Sequence, residues 1–453
     1  MTRLAFNIPC KHQAGIAGKQ QLKAQNLKGQ SERLDSMQIE HPERLNRRSF
    51  LGAAAAAISA GAVLAPAALA QSTTETRKGE ANHSASNPGP INQKVSEENP
   101  DSRMPPFTDH GDVAPFWYSF DLSHRRVQDG GWTRQVTQKD LPISTDLAGV
   151  NMRLTAGSYR ELHWHTANEW AFMLYGAARV TVLNPDGTIF IDDVAKGDLW
   201  FFPAGYPHSI QGLGPDGCEF LLVFDEGTFS EYQTFLISDW IAHTPAEILA
   251  QNMRLSAASV AKLPEDELYI FPGTVPGPLA DDKAAVGGKA VESKIDYTFR
   301  MAATKPNKEN AGGSVRIVDS TNFPASVAVA AALVTVKPGG IRELHWHPNA
   351  SEWQYYIAGK GRMTVFASSG KARTMDFKAN DVGFIPAVAG HFIENTGNED
   401  LIFLETFKSR RYADFSLDQW IRRLPTLIAS EHLKLDATEL KQIPDQDNAV
   451  LGK

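Results

Sequence analysis

Two pairs of histidines, each with one residue between its members, are the strongest chemical signal in this sequence. His163 and His165 belong to the hexapeptide Arg-Glu-Leu-His-Trp-His, and His345 and His347 belong to an identical copy of it. Because successive side chains on a β-strand point to opposite faces, a His-x-His pair directs both imidazoles to one side. A glutamate follows each pair, and a further histidine follows a downstream proline. The predicted metal ligands are His163, His165, Glu169 and His208 in the first set, and His345, His347, Glu352 and His391 in the second.

Three imidazoles and one carboxylate, without a thiolate, form a donor set that accepts manganese, iron, nickel, copper or zinc. The residue types alone do not choose among these metals. Satisfied histidines of the core are the alternative interpretation. However, six of the 13 histidines in the chain occupy the repeated positions, which favours metal binding at both sets.

The elements that must hold these ligands also occur twice. Residues 157–165 return as residues 339–347, and Trp240 returns as Trp420, so the repeating unit is about 180 residues long. In each unit, alternating segments separated by Gly- and Pro-containing turns come first, and apolar residues at helical spacing come last. This order predicts an all-β fold with helical arms, built as two tandem jelly rolls of the cupin architecture. A Gly-, Pro- and Ala-rich stretch at residues 270–292 is the predicted link.

The beginning of the chain has the composition of an export signal. Arg47 and Arg48 precede an uncharged, Ala-rich run that ends in Ala-Leu-Ala at residues 68–70, a pattern typical of a twin-arginine leader. An Ala-rich surface helix and a membrane anchor are the alternatives, but Pro66 and several Gly and Ser residues make the run weakly apolar. We therefore expect a periplasmic or secreted protein without a membrane anchor, and Met37 is an alternative start. The predicted divisions are a signal region at 1–70, a disordered linker at 71–105, and domains at 106–285 and 286–453.

Export of an already folded protein bears on the identity of the metal. Affinity at such a site rises from manganese towards copper, so a weakly held metal is best loaded in a protected compartment. A protein that folds around its metal in the cytoplasm meets this need. The leader therefore favours manganese, as a hypothesis.

Composition and charge exclude some classes of function. The chain has 45 basic and 52 acidic residues, of which nine and four fall in residues 1–70, so the remainder carries a net charge of −12. A body this acidic lacks the clustered Lys and Arg that phosphate contacts need, and we expect no nucleic-acid partner. Cys10 lies in the predicted signal region, which leaves Cys218 without an intramolecular disulfide partner.

The longer motif around the histidines resembles that of the bacterial bicupin oxalate decarboxylases. Arg-Glu-Leu-His-Trp-His followed by Glu-Trp occurs twice, with Glu-Phe-Leu-Leu-Val-Phe-Asp-Glu-Gly-Thr-Phe-Ser-Glu between the copies, and the similarity covers roughly residues 105–440. The resemblance implies two manganese ions per chain, dioxygen as a catalytic co-substrate, and cleavage of oxalate to formate and carbon dioxide. It also implies a homo-oligomer, either a trimer or a hexamer.

The same resemblance assigns roles to residues outside the ligand sets. It implies that Arg160 and Arg342 lie beside the metals, where a guanidinium can hold a carboxylate by two parallel hydrogen bonds. It implies that Glu231 is the glutamate of a flexible lid, residues 230–234, and that this glutamate transfers a proton. It also places Tyr412 near the second site. Glu405 is a candidate from the residues themselves, because it interrupts an otherwise apolar strand.

The lid departs from the commonest family form, since Tyr232 and Gln233 replace Asn and Ser. The departure leaves the ratio of decarboxylase to oxidase chemistry open. Two alternative functions therefore stand beside oxalate decarboxylase at this point. One is an oxalate oxidase that produces hydrogen peroxide, and the other is a non-catalytic periplasmic bicupin that binds manganese.

Overall fold

The computed structural model describes residues 92–98, 113–287 and 292–453. The predicted signal region lies outside the described residues. The elements up to residue 287 are α1 (Gln93–Glu98), β1 (Trp117–Ser119), β2 (Arg126–Gln128), β3 (Gly131–Val136), β4 (Ala148–Leu154), β5 (Tyr159–Trp164), β6 (Glu169–Leu183), β7 (Ile189–Ala195), β8 (Leu199–Phe202), β9 (His208–Gly212), β10 (Cys218–Phe224), β11 (Phe235–Leu236), α2 (Ile237–Ala242), α3 (Ala246–Met253), α4 (Ala257–Val260), β12 (Ile270–Phe271) and α5 (Leu279–Gly287).

The second half repeats this order. Its elements are β13 (Thr298–Phe299), β14 (Lys308–Asn310), β15 (Gly313–Val318), β16 (Ala330–Val336), β17 (Ile341–Trp346), β18 (Glu352–Ala358), β19 (Lys360–Ala367), β20 (Lys371–Lys378), β21 (Asp381–Ile385), β22 (Gly390–Asn395), β23 (Leu401–Phe407), β24 (Phe415–Ser416), α6 (Leu417–Arg423), α7 (Thr426–Leu433), α8 (Ala437–Leu440) and β25 (Val450–Leu451). Short 3-10 turns span Phe120–Leu122, Glu231–Gln233 and Met301–Ala303.

Each repeat folds as a jelly roll of antiparallel strands. In the second repeat, one sheet has the order β1-β21-β18-β23-β16-β15-β14, and the other has the order β20-β19-β22-β17-β24 with β25 also on β17. In the first repeat, the 15-residue β6 pairs with β8 and β10 along its first half and with β7 and β9 along its second half. The two sheets of that repeat are therefore continuous. Two jelly-roll domains with helical arms confirm the predicted fold.

Strand β10 shows how the two repeats are held together. Its sequence is apolar at nearly every position, as expected for a strand that is buried on both faces. Phe220 and Leu222 point into the interior of the first repeat. Leu221 and Val223 point the other way, into a cluster that they share with Trp353 of the second repeat. The inner faces thus enclose the ligand sets, and the outer faces join the repeats.

Short segments ahead of each jelly roll pair with the other repeat. Trp117 of β1 pairs with Gly383 of β21, and Thr298 of β13 pairs with Trp200 of β8. Each segment therefore adds a strand to a sheet of the opposite repeat. This exchange makes the two halves depend on one another for complete sheets.

The predicted link at residues 270–292 is structured where it is described. Its β12 pairs with β5, and Asp282 of α5 forms an ion pair of 2.5 Å with Arg179 of the first repeat. The domain boundary at residue 285 remains a prediction, and it falls inside α5.

The predicted disordered linker contains one described element, the helix α1. Its Glu98 forms an ion pair of 2.7 Å with Lys378 of β20, and the extent of the disordered linker remains a prediction. No helix among the described residues is long and apolar enough to cross a lipid bilayer.

Candidate metal centres

The first predicted ligand set converges inside the first jelly roll. His163 lies on β5 and is paired in register with His208 of β9, while His165 follows β5 and Glu169 begins β6. All four side chains are buried, and their ligand atoms lie within 4.8 Å of one another. The strand pairing therefore brings together residues that are 45 positions apart.

The second set has the same construction. His345 of β17 is paired in register with His391 of β22, His347 follows β17, and Glu352 begins β18. These four side chains are also buried, with ligand atoms within 4.8 Å of one another. The structure thus groups all eight sequence-predicted ligands into two matching centres.

Backbone carbonyl groups orient the six imidazoles. In every one, Nδ1–H donates to a main-chain oxygen, at distances from 2.6 Å for His163 with Glu161 to 3.1 Å for His391 with Ala389. This bond selects the tautomer in which Nε2 has a free lone pair directed at the centre. It is the arrangement that a metal-binding histidine requires.

The contacts between ligands also favour a bound cation. Nε2 of His165 lies 3.1 Å from Oε2 of Glu169, and Nε2 of His391 lies 2.9 Å from Oε2 of Glu352. With Nδ1 carrying the proton of a neutral ring, each contact brings two hydrogen-bond acceptors together. A metal ion between them removes this conflict. Three nitrogens and one oxygen suit a borderline or hard divalent ion, manganese included.

The protonation states agree with this role. Burial lowers the pKa of His163 well below its usual value, and the positive charge of Arg160 lowers it further. Burial alone would raise the pKa of Glu169, but its contacts with His165 and His208 lower it below its usual range. In the second centre His345 and Glu352 show the same two effects, whereas burial would lower the pKa of His347 but its contact with Glu352 raises that pKa above its usual value. Neutral imidazoles and a charged carboxylate are the forms that bind a metal.

Each ligand glutamate is held by one buried donor that the sequence did not reveal as functional. Trp200 Nε1–H donates to Glu169 Oε1 at 2.8 Å. In the second centre, the side-chain amide of Gln354 donates to Glu352 Oε1 at 2.6 Å, and Gln354 in turn accepts from the hydroxyl of Tyr356 at 2.8 Å. Such outer contacts fix the direction in which a ligand oxygen points.

The two donors lie on opposite members of the equivalent strand pair. Trp200 is on β8, which pairs with β6, whereas Gln354 is on β18, which pairs with β21. Ala171 faces Trp200 in the first repeat, and Gln354 faces Gly383 in the second. In the second repeat a larger residue at position 383 would crowd Gln354, since a Cβ on Gly383 would lie 3.2 Å from Gln354 Oε1. Comparison of the repeats at these positions is the signal that could have identified both donors.

Arg160 and Glu231 form a buried ion pair beside the first centre. A β-bulge in β5 between Arg160 and His163 turns both side chains inward, although they are three residues apart. Arg160 Nε–H donates to Glu231 Oε1 at 3.0 Å, Nη2 lies 2.9 Å from the same oxygen as an ion pair, and the two residues are 1% and 4% exposed. The guanidinium also lies 4.2 Å from the ring centre of Tyr269. The predicted clamp and the predicted proton donor are therefore in direct contact.

Arg342 occupies the equivalent position beside the second centre, but its surroundings differ. It donates to Glu405 at 3.2 Å, to the carbonyl of Ala449 at 3.2 Å, to the hydroxyl of Tyr412 at 2.9 Å and to Asp414 at 3.1 Å. These partners account for nearly all of its hydrogen-bonding capacity. Asp414, which also accepts from Tyr412 at 2.9 Å, was not predicted from the sequence.

The two carboxyl groups beside Arg342, those of Glu405 and Asp414, have pKa values shifted in opposite directions. Burial raises the pKa of Glu405 to about 7, and Arg342 acts against that rise. Burial would likewise raise the pKa of Asp414, but the nearby guanidinium lowers it below its usual value. Asp414 is therefore the ionised partner of Arg342, and Glu405 is the more easily protonated one.

The chain matches known proteins over both repeats. The cupin family model matches residues 119–261 and 299–441. The chain is 53% identical over 364 residues to oxalate decarboxylase OxdC of Bacillus subtilis strain 168, which covers 80% of this chain and 94% of that protein. It is 38% identical over 407 residues to a probable oxalate decarboxylase of Arthroderma benhamiae, which covers 87% and 99% of the two chains.

Solved structures show the same relationship. A structure of Bacillus subtilis oxalate decarboxylase, from a study of the Mn(II) centres of that enzyme, matches with a TM-score of 0.77 and 50% identity. The match covers 80% of this chain and 96% of the other. The resemblance predicted from the repeated motif is confirmed: the chain belongs to the cupin family, among its two-domain oxalate decarboxylases.

Proposed function

We propose that this chain is a manganese-dependent oxalate decarboxylase, which converts oxalate and one proton into formate and carbon dioxide. The observation that carries the proposal is the buried pair of Arg160 and Glu231 beside the first ligand set. A cation that can hold a carboxylate lies next to an acid that can supply a proton. The names of the relatives and the Mn(II) centres of the Bacillus enzyme support the substrate and the metal.

Arg160 binds the substrate in this proposal. Its planar guanidinium presents parallel N–H donors that match one carboxylate of oxalate. Those donors now contact Glu231, so oxalate must displace the glutamate in order to bind. Substrate binding is thereby coupled to the release of Glu231 from its ion pair.

Glu231 then supplies the proton that makes formate. The carbon–carbon bond of oxalate breaks, carbon dioxide leaves, and the electron pair that remains on the other carbon takes the proton to form a C–H bond. When bound, manganese supplies a Lewis-acidic centre with accessible oxidation states, and dioxygen is the proposed catalytic co-substrate. If no proton reaches this carbon, the same two electrons pass to dioxygen, which takes up two protons from water, and two carbon dioxide molecules and one hydrogen peroxide result.

The first centre is the one that turns over in this proposal. Arg160 donates to one backbone carbonyl, that of Tyr269, and contacts a single carboxylate on a short turn, which oxalate can replace. Arg342 is held by Glu405, Tyr412 and Asp414 together, so a substrate would have to displace several buried groups. Its three partners position Arg342 and keep its charge compensated.

The chain is proposed to act as a homo-oligomer, either a trimer or a hexamer. Trp240 and Trp420 of the two helical arms are 66% and 55% exposed. Trp420 lines an apolar groove of about 420 Å³ together with Trp346, Phe366 and Val388. Exposed aromatic and aliphatic side chains around a groove are typical of a protein interface. Sedimentation of the purified protein tests this, and a concentration-independent monomer contradicts it.

The localisation is proposed as periplasmic or secreted, through the twin-arginine pathway. Support comes from the paired Arg47 and Arg48 and the Ala-rich run after them. Fractionation of cells that express the full chain tests the location directly. Retention of active enzyme in the cytoplasm of cells with a working pathway would contradict it.

The test of the function is the change Glu231→Gln. Glutamine keeps the shape and a hydrogen-bond acceptor for Arg160 but has no proton to transfer. Formate production should fall by roughly 10²–10⁴-fold, as is usual when an acid–base group is lost. Peroxide should persist or increase. Formate, peroxide and bound manganese are measured together, so that loss of metal is not mistaken for loss of chemistry.

Glu226→Gln is the matched control, because Glu226 is an exposed carboxylate close to the lid. It should leave formate production unchanged. Tyr232→Asn should have a milder effect than Glu231→Gln, since Tyr232 shapes the lid and transfers no proton. Peroxide as the main product of the parent would indicate an oxalate oxidase, and two bound manganese ions with no turnover would indicate a storage protein.

A further inference from the structure

Gln135 lies directly beneath the lid and contacts it at two adjacent residues. Its Oε1 accepts the backbone N–H of Glu231 at 2.9 Å, and its Nε2 donates to the hydroxyl of Ser230 at 3.3 Å. Gln135 belongs to β3, which is paired along its length with the central strand β4. The side chain thus connects a short surface turn to a fixed part of the sheet.

The chemistry of a glutamine suits this double contact. A primary amide presents an acceptor and two donors in one plane, so it can bind a backbone N–H and a hydroxyl together. The Ser230 hydroxyl also accepts from the N–H of Tyr232 at 3.3 Å, and Thr234 donates to the carbonyl of Glu231 at 2.9 Å. The bonds within the turn therefore continue through Gln135 into the sheet.

The same position in the second repeat has a different character. Gln135 pairs with Val150, and Ile317 pairs with Ala332 at the equivalent point of the second repeat. Ile317 has no side-chain group that can form hydrogen bonds. Glutamine at this strand position occurs in the repeat that contains Glu231.

We propose that Gln135 is a positioning residue that fastens the closed lid, and that it thereby sets the partition of oxalate between formate and peroxide. This inference rests on the proposed function. While the lid is fastened, Glu231 stays beside Arg160 and the proton is available where carbon dioxide leaves. When the lid opens, the proton donor moves away and dioxygen takes the electrons instead. Among the described residues, the side chain of Gln135 forms hydrogen bonds with Ser230 and Glu231 and with neither the ligand sets nor Arg160, so it acts through the lid.

The experiment compares Gln135→Met with Gln138→Met in the full, manganese-loaded protein. Methionine keeps the length of glutamine but has no strong donor or acceptor. Gln138 is three residues along, and the hydrogen bond that links it to Gly227 is made by its backbone. A third variant, Gln135→Glu, keeps an acceptor for the Glu231 amide. Hydrogen exchange of residues 226–236 and the formate-to-peroxide ratio are measured for each protein.

In Gln135→Met, amide exchange in the lid should be faster by about tenfold, the factor expected when hydrogen bonds of ordinary strength are lost. The formate-to-peroxide ratio should fall by a similar factor, while the melting temperature and manganese content stay near those of the parent. Gln138→Met should match the parent, and Gln135→Glu should show slower lid exchange than Gln135→Met.

Several results would overturn the inference. One is unchanged lid exchange in Gln135→Met, and another is faster exchange with an unchanged product ratio. Equal effects in the Gln138→Met control would show that the response is not specific to the lid contact. A parent protein that makes neither formate nor peroxide from oxalate refutes the proposed function, whereas lid exchange still shows whether Gln135 fastens the turn.

Discussion

Replacing either of the two buried residues that donate to a ligand glutamate, Trp200 or Gln354, should weaken only one metal centre. Trp200→Phe removes the N–H that holds Glu169, and Gln354→Leu removes the amide that holds Glu352. Each change keeps a bulky apolar side chain in the cavity. Because the donors belong to different repeats, the first change should affect only the first centre and the second change only the second.

The expected magnitude follows from the contact itself. A hydrogen bond to a charged group contributes about 1.5–3 kcal/mol, and the 2.8 Å bond of Trp200 to Glu169 is completely buried. Loss of an outer contact of this kind usually lowers metal affinity by about 10–100-fold, or roughly 1.4–2.7 kcal/mol. The two figures agree. Gln354→Leu should also lower the free energy of unfolding, since it leaves the buried hydroxyl of Tyr356 without its acceptor.

The assay requires proteins with one working centre. Paired His→Ala changes at the two histidines of one His-x-His motif remove that centre, and the donor variants are then made in each background. Manganese affinity is measured by competition with a chelator and by metal analysis after dialysis. Thermal unfolding of the metal-free proteins separates damage to the fold from damage to the centre.

Loss of affinity at both centres in Trp200→Phe would refute this reasoning, because it would show that the change acts through the shared core. Unchanged affinity at the first centre would refute it as well. In that case the backbone bonds of the histidines and the position of Glu169 at the start of β6 would be sufficient to fix the ligand set.

Three further predictions concern the metal, the leader and the pH dependence. The exported protein should contain about two manganese ions per chain, and changing His163 and His165 to Ala should remove one, as measured by metal analysis; two zinc or copper ions without manganese would contradict the assignment. Changing Arg47 and Arg48 to Lys should leave active, metal-loaded enzyme in the cytoplasm, and normal export of this variant, seen by cell fractionation, would contradict a twin-arginine leader. Burial raises the pKa of Glu405 from 4.5 to about 7, so the folded state binds more protons than the unfolded state between these pH values. The free energy of unfolding should therefore fall as the pH rises through this range. Glu405→Gln should flatten this pH dependence, measured by urea denaturation of the metal-free protein, and an unchanged pH dependence would contradict the prediction.

Much of the fold was predictable because short-range sequence patterns indicate it. Alternating apolar residues and Gly- and Pro-containing turns indicated antiparallel strands, and helical spacing at the end of each unit indicated the arms. The duplication of the sequence implied two domains of one architecture. The exchange of β1 and β13 between the repeats was not predictable, because strands of two or three residues carry too little pattern to identify their partners.

The sequence by itself determined which side chains form the two centres. His-x-His on a strand needs only the two-residue period of an extended chain to place both rings on one face. Repetition of the whole set in the second unit then made a chance arrangement improbable. Arg160 and Glu231 were predicted through the family resemblance, and the structure places them in contact.

Tertiary structure alone decided how these residues are supported. The bulge that turns Arg160 and His163 to the same side depends on the pairing of β5 with β9. The donors Trp200 and Gln354 reach their glutamates from opposite members of a strand pair, and Gln135 meets the lid across 96 residues of sequence. Each of these contacts joins residues whose local sequences are ordinary for a buried strand. Their roles arise from the packing of distant segments, which a local sequence pattern does not encode.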